Sequence, residues 1–118
     1  MSVRPNVFVV QQNDASRDLS SADDFGTIRY ILPAGFQPSL EPQRAMEFMR
    51  RELETFRPGD FITSTGGDLA GVFIAGLIVP EFHEGSVNWL RWERKRANDG
   101  RRMNNVGFYV PSAINPLS

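Results

Sequence analysis

Trp89, Arg91, Arg94, Lys95 and Arg96 fall within eight residues of one another, and Arg101 and Arg102 follow after a gap containing Asn98-Asp99-Gly100. Tryptophan interleaved with guanidinium groups suits single-stranded nucleic acid. A base stacks on the indole at roughly 1–3 kcal/mol, while the cations follow the phosphates. Twelve of the thirteen basic residues are arginine, with Lys95 the exception, and the planar arginine fork matches phosphate better than a lysine ammonium does. Successive side chains of a strand point to opposite faces, so Trp89 and Trp92 cannot share one. With Leu90 and Trp92 filling a core, Trp89 stands beside Arg91 on the outer face. Two other readings fit the same residues. Both tryptophans pack while the arginines solubilise a hairpin, or Trp89 is a subunit contact.

The charge distribution favours an anionic partner for this end of the chain. Residues 1–60 carry seven bases and nine acids, residues 61–90 no base and three acids (Asp68, Glu81, Glu84), and residues 91–118 six bases and two acids (Glu93, Asp99). The total is only −1, so the asymmetry and not the sum carries the information.

Other chemistry finds less support. Thr65-Gly66-Gly67-Asp68 lies between a predicted strand and helix, where backbone amides can cradle a phosphate. It has neither Walker nor Rossmann spacing, and Asp68 would repel an anion there and is better suited to capping the helix. Glu81-Phe82-His83-Glu84 offers three metal ligands from one segment only, whereas a metal centre needs convergence from several elements. The chain has one histidine and no cysteine. Disulfides, thiolate sites and cysteine nucleophiles are therefore excluded, and no serine lies in a nucleophile motif. No catalytic residue, metal or cofactor is expected.

The elements that must position these residues form one domain over residues 1–118, of α/β (α+β) type. The pattern reads β-β-α-β-α-β-β, a small sheet of about five strands with two helices and a basic C-terminal hairpin. Val7 to Gln12 is a β-rich run, followed by a polar, flexible loop over 12–25. Thr27 to Leu32 alternates as a strand, with Ile28, Tyr30 and Leu32 on one face. Ser39 is the expected N-cap of an amphipathic helix reaching Phe56, in which Met46, Met49, Leu53 and Phe56 recur at helical spacing. Pro58-Gly59 closes it, and Phe61 to Ser64 is a short strand. Leu69 to Val79 is apolar throughout, eleven residues ended by Pro80, or about 16 Å of helix. That is half a bilayer's hydrocarbon core, so a buried helix is expected and no membrane span. Its small residues Ala70, Gly71, Ala75 and Gly76 allow another element to approach closely. Val87 to Arg94 and Val106 to Val110 form the hairpin, with Lys95 to Asn105 as its basic tip and residues 111–118 as a tail. Met1-Ser-Val-Arg-Pro has no signal-peptide pattern, and a cytoplasmic location is expected.

Five stretches in this order carry a resemblance: Tyr30 to Ala34, Gly59 to Ile62, Gly67-Asp68, Leu90-Arg91-Trp92-Glu93-Arg94, and Phe108 to Pro111. The chain resembles a family of short tailed-bacteriophage proteins that includes Drc, the single-stranded-DNA-binding RNA polymerase cofactor of podophages that package a giant virion RNA polymerase. The turn at Thr63 to Gly67 is more polar, and the Lys95 to Asn105 loop longer and more basic, than that family's pattern. The resemblance implies a phage-encoded, non-catalytic protein that binds single-stranded DNA in support of transcription or replication, with a phage RNA polymerase as a candidate partner. Trp89 would stack bases, and Arg91, Arg94, Lys95, Arg96, Arg101 and Arg102 would neutralise phosphates. Six bases on one monomer make a short footprint, so a homo-oligomer aligning several patches is expected. A protein-interaction module that never touches DNA is the first alternative, and a small nucleotide or phosphate binder at Thr65 to Asp68 the second.

Overall fold

Val7, Phe8, Val9 and Val10 are all buried, which a strand achieves only when both faces of its sheet are covered. They form the centre of β1 (Asn6–Gln11) in a computed structural model that describes residues 4–12, 20–64, 69–96 and 102–114. The remaining elements are α1 (Ser20–Asp23), β2 (Thr27–Leu32), α2 (Pro42–Leu53), β3 (Phe61–Thr63), α3 (Leu69–Phe82), β4 (Val87–Arg96) and β5 (Arg102–Ile114). The strands make one sheet in the order β2-β1-β3-β4-β5. β1 is parallel to β2 and β3, β3 is parallel to β4, and only the β4–β5 hairpin is antiparallel.

Two apolar clusters follow from the alternation along β1. Phe8 and Val10 join Ile62, Ala45, Met49 and Leu53 of α2, and Ile74, Ala75 and Ile78 of α3 in the larger one. Val7 faces the other way, with Ala22 of α1, Leu90 and Tyr109. The larger helices thus cover one face of the sheet and the single turn of α1 covers part of the other. That turn lies inside the segment expected to be a loop. Ser20-Ser21-Ala22-Asp23 has no helical periodicity; the burial of Ala22 and the contacts of Arg4 with Asp23 hold it in place.

Helix α2 starts later than Ser39 suggested. Glu41 is the N-cap, without a side-chain cap bond. Pro42 stands at the first helical position, where its fixed φ and missing N–H are harmless. Phe56 is buried beyond the end of the helix, its ring 5.6 Å from that of Phe8. Gly59 turns the chain with φ +94°, and the buried Asp60 holds that turn. Its carboxylate accepts from Arg57 N and Asn6 N, both at 2.9 Å, tying the turn to the start of β1.

Helix α3 continues through Pro80 to Phe82. Proline cannot donate to the Gly76 carbonyl, but Gly76 is on the solvent side, and His83 N still reaches Val79 O at 3.0 Å. The close approach expected of the small residues is found at Gly71, where a Cβ would lie 3.1 Å from Val10 Cγ1. Gly76 faces open space instead. The helix expected to be buried all round therefore exposes one face. No helix among the described residues is long and apolar enough to cross a membrane.

Candidate nucleic-acid interface

Strand β3 is three residues long and pairs with β4 only from Asn88 to Leu90. Strand β4 continues to Arg96, six residues further, so the β4–β5 ribbon outruns the sheet by roughly 20 Å at about 3.3 Å per residue. The register Trp89↔Ser112, Arg91↔Val110 and Glu93↔Phe108 places these six on one ribbon face. Leu90↔Pro111 and Trp92↔Tyr109 occupy the other.

This register corrects the placement of Trp89. Its face is the one covered by the larger helices, where it packs half-buried against the main core beside Val87. A sheet with one covered face would turn Trp89 outward when Leu90 fills the core. With both faces covered at the sheet's centre, Leu90 fills the second core and Trp89 the first. Trp92 is half-buried beside the second core, edge-on to the Tyr109 ring at a centroid distance of 5.0 Å. Neither tryptophan is fully outward, yet both border one shallow groove. It has a volume of about 410 Å³ and lies where β4 passes the end of β3, lined by Ser64, Trp89, Leu90, Arg91, Trp92, Ser112 and Ile114.

Arg91 is 54% exposed and ion-paired to Glu93 on its own strand face. Phe108, across from Glu93, is 49% exposed on that same face. Trp92 and Phe108 are thus groove and ribbon aromatics that the site prediction left out. The parity of Phe108 against Tyr109 was a usable signal, since only one of two adjacent strand residues can enter the core.

The remaining bases sit further along the ribbon. Arg94 lies in β4 as expected, whereas Lys95 and Arg96, which end β4, and Arg102, which begins β5, belong to strands and not to the loop expected at Lys95 to Asn105. A register shift between Arg94 and Arg96 precedes the cross-strand pair Arg96↔Arg102. Arg101 lies outside the described residues, as does the turn Thr65 to Asp68 proposed for phosphate. At the other end, β5 runs to Ile114 and takes in residues assigned to the tail. Pro111 is accommodated because β5 is the edge strand.

The Glu81 to Glu84 segment is occupied structurally. Arg50 of α2 donates twice to the Glu81 carboxylate, at 3.0 Å each. These bonds hold Glu81 below the usual carboxylate range against a weaker opposing effect of desolvation, and raise the Arg50 guanidinium further. His83 Nε2–H donates to Ser86 O at 2.9 Å while its ring meets Phe56 edge-on. Among the described residues no three potential ligands converge on a metal position.

No curated protein matches the sequence, and no solved structure does. A family model described as phage Pam3 gp32-like protein matches residues 5–99, which span the fold from β1 through β4 and stop short of β5. The chain is therefore a member of the phage Pam3 gp32-like family.

Proposed function

We propose that this phage protein binds single-stranded DNA, without catalysis, through the β4–β5 ribbon. The role would be to support phage transcription, as an RNA polymerase cofactor, or replication. The observation that carries the reading is the groove at the ribbon's foot, where Trp89, Trp92 and Arg91 line one hollow. Beyond it, the same ribbon carries Arg94, Lys95, Arg96 and Arg102. Aromatic faces beside a track of cations are what sequence-tolerant strand binding requires. A hollow that is shallow and open suits an unstacked base better than an enclosed small molecule. Trp89 and Trp92 supply the stacking surfaces, and the cations beyond them follow the phosphates.

The test is fluorescence anisotropy with a labelled single strand of about 30 nucleotides, beside the matching duplex. The expected result is preference for the single strand, with tryptophan emission quenched on binding and the quench reduced in Trp92→Ala. No binding of either strand at low salt refutes the proposal.

A further inference from the structure

The groove at the ribbon's foot has a neighbour. An apolar hollow of about 120 Å³ lies between α3 and the foot of the ribbon, and Trp89 and Ile114 line both it and the groove. Ala75, Gly76 and Val79 form its helical wall, and Val87 belongs to its sheet side. Apart from the indole of Trp89, no lining side chain carries a polar atom. No cation lines the hollow, whereas Arg91 lines the groove. The phosphate of a nucleotide therefore gains nothing by entering, and only its base does.

Size and polarity narrow which base that is. An apolar cavity of about 150 Å³ accommodates benzene, so this one takes a single six-membered ring and not the fused rings of a purine. A pyrimidine has a polar Watson–Crick edge and, across the ring, an apolar C5–C6 edge. With the C5–C6 edge leading, carbon is buried and the polar edge stays in water. The lining demands that orientation, since it offers nothing to replace the hydrogen bonds of the polar edge. Thymine carries its methyl group at C5, and the methyl adds apolar surface to what the hollow covers.

We infer that this hollow is a thymine subsite, which one base of the bound strand enters methyl first, beside the base stacked in the groove. The inference rests on the reading of the ribbon as a single-stranded-DNA interface and adds a base preference to it. The preference is modest, because the stacking and phosphate contacts accept any base.

The test compares labelled oligo-dT and oligo-dU of about 30 nucleotides by anisotropy at low salt. The two differ only in the 5-methyl group, and a homopolymer presents the same base in every register. The expected result is tighter binding of oligo-dT by about fourfold, the worth of one buried methyl-sized group. Gly76→Leu places an isobutyl group on the hollow's helical wall and should bring the ratio close to one. Nothing lies within 4 Å of a Cβ built on Gly76, and leucine is the better helix former, so the variant's far-UV circular dichroism should be retained. Equal affinities of the wild-type protein for oligo-dT and oligo-dU overturn the inference and leave the ribbon reading standing. A preference that Gly76→Leu leaves intact also overturns it, by assigning the methyl contact to another part of the surface. Binding of neither strand refutes the ribbon reading itself, and this inference with it.

Discussion

Replacing Arg94, Lys95 and Arg96 together by alanine should halve the salt sensitivity of DNA binding or more. For single strands, log affinity falls with log salt at about −0.7 per phosphate neutralised. Residues 91–118 carry six bases, but Arg91 is engaged with Glu93, so five count in full and the slope should be about −3.5. Between 50 and 200 mM salt that slope weakens binding about a hundredfold. The triple variant retains Arg101 and Arg102, giving a slope of about −1.4 and a loss of only about sevenfold over the same range. Anisotropy titrations at four or more salt concentrations give both slopes, and thermal melts of the two proteins establish that the fold is shared. An unchanged slope in the triple variant would refute the assignment of the ribbon as the phosphate track. Binding with no salt dependence would refute the electrostatic basis altogether.

Two further outcomes test the fold around this surface. Asp60→Asn leaves one oxygen where two backbone N–H groups now bond, so one donor loses its partner at a buried site. A loss of about 1–3 kcal/mol is expected in urea unfolding, and a change below about 0.5 kcal/mol would contradict it. The Arg50–Glu81 bond pair holds the Glu81 carboxyl below its ordinary value, so its stabilisation is present above the unfolded pKa of about 4.3. It is lost as pH falls through the lower folded value. Glu81→Gln should melt below wild type at neutral pH, with the difference closing in acid. A difference that persists in acid would assign the effect to packing.

The order of the five strands and two long helices was legible because each carries its own pattern, which the single turn of α1 does not. These are the apolar run of β1, the alternation of Thr27 to Leu32, the helical spacing of Met46, Met49 and Leu53, and the turn residues Pro58-Gly59. What failed to show depends on which surfaces are covered, a tertiary property. Helix α3 is apolar on every side, so no periodicity separates Gly71, against Val10, from Gly76, in the open. Trp89 was placed outward on the premise of a one-sided core, whereas Leu90 and Trp89 serve two cores on opposite faces. Pro111 looked like a strand terminator because its place at the sheet's edge is invisible in the sequence. Ser39 looked like a cap, but the geometry of Pro42 moves the helix start to Glu41.

The first strand of the sheet in chain order lies inside it, between β2 and β3, and this governs how the protein emerges during synthesis. Val7 to Val10 leave the ribosome early, yet one of β1's two neighbours is β3, at Phe61–Thr63. More than fifty residues must follow before that pairing is available. Until then an apolar, β-branched run has no partner on one side, the kind of segment that promotes aggregation. Parallel pairing over such a separation also slows folding relative to local contacts. Folding yield should therefore respond more to conditions during translation than to changes in the ribbon, which follows β1, β2 and β3 in the chain and joins strands already made.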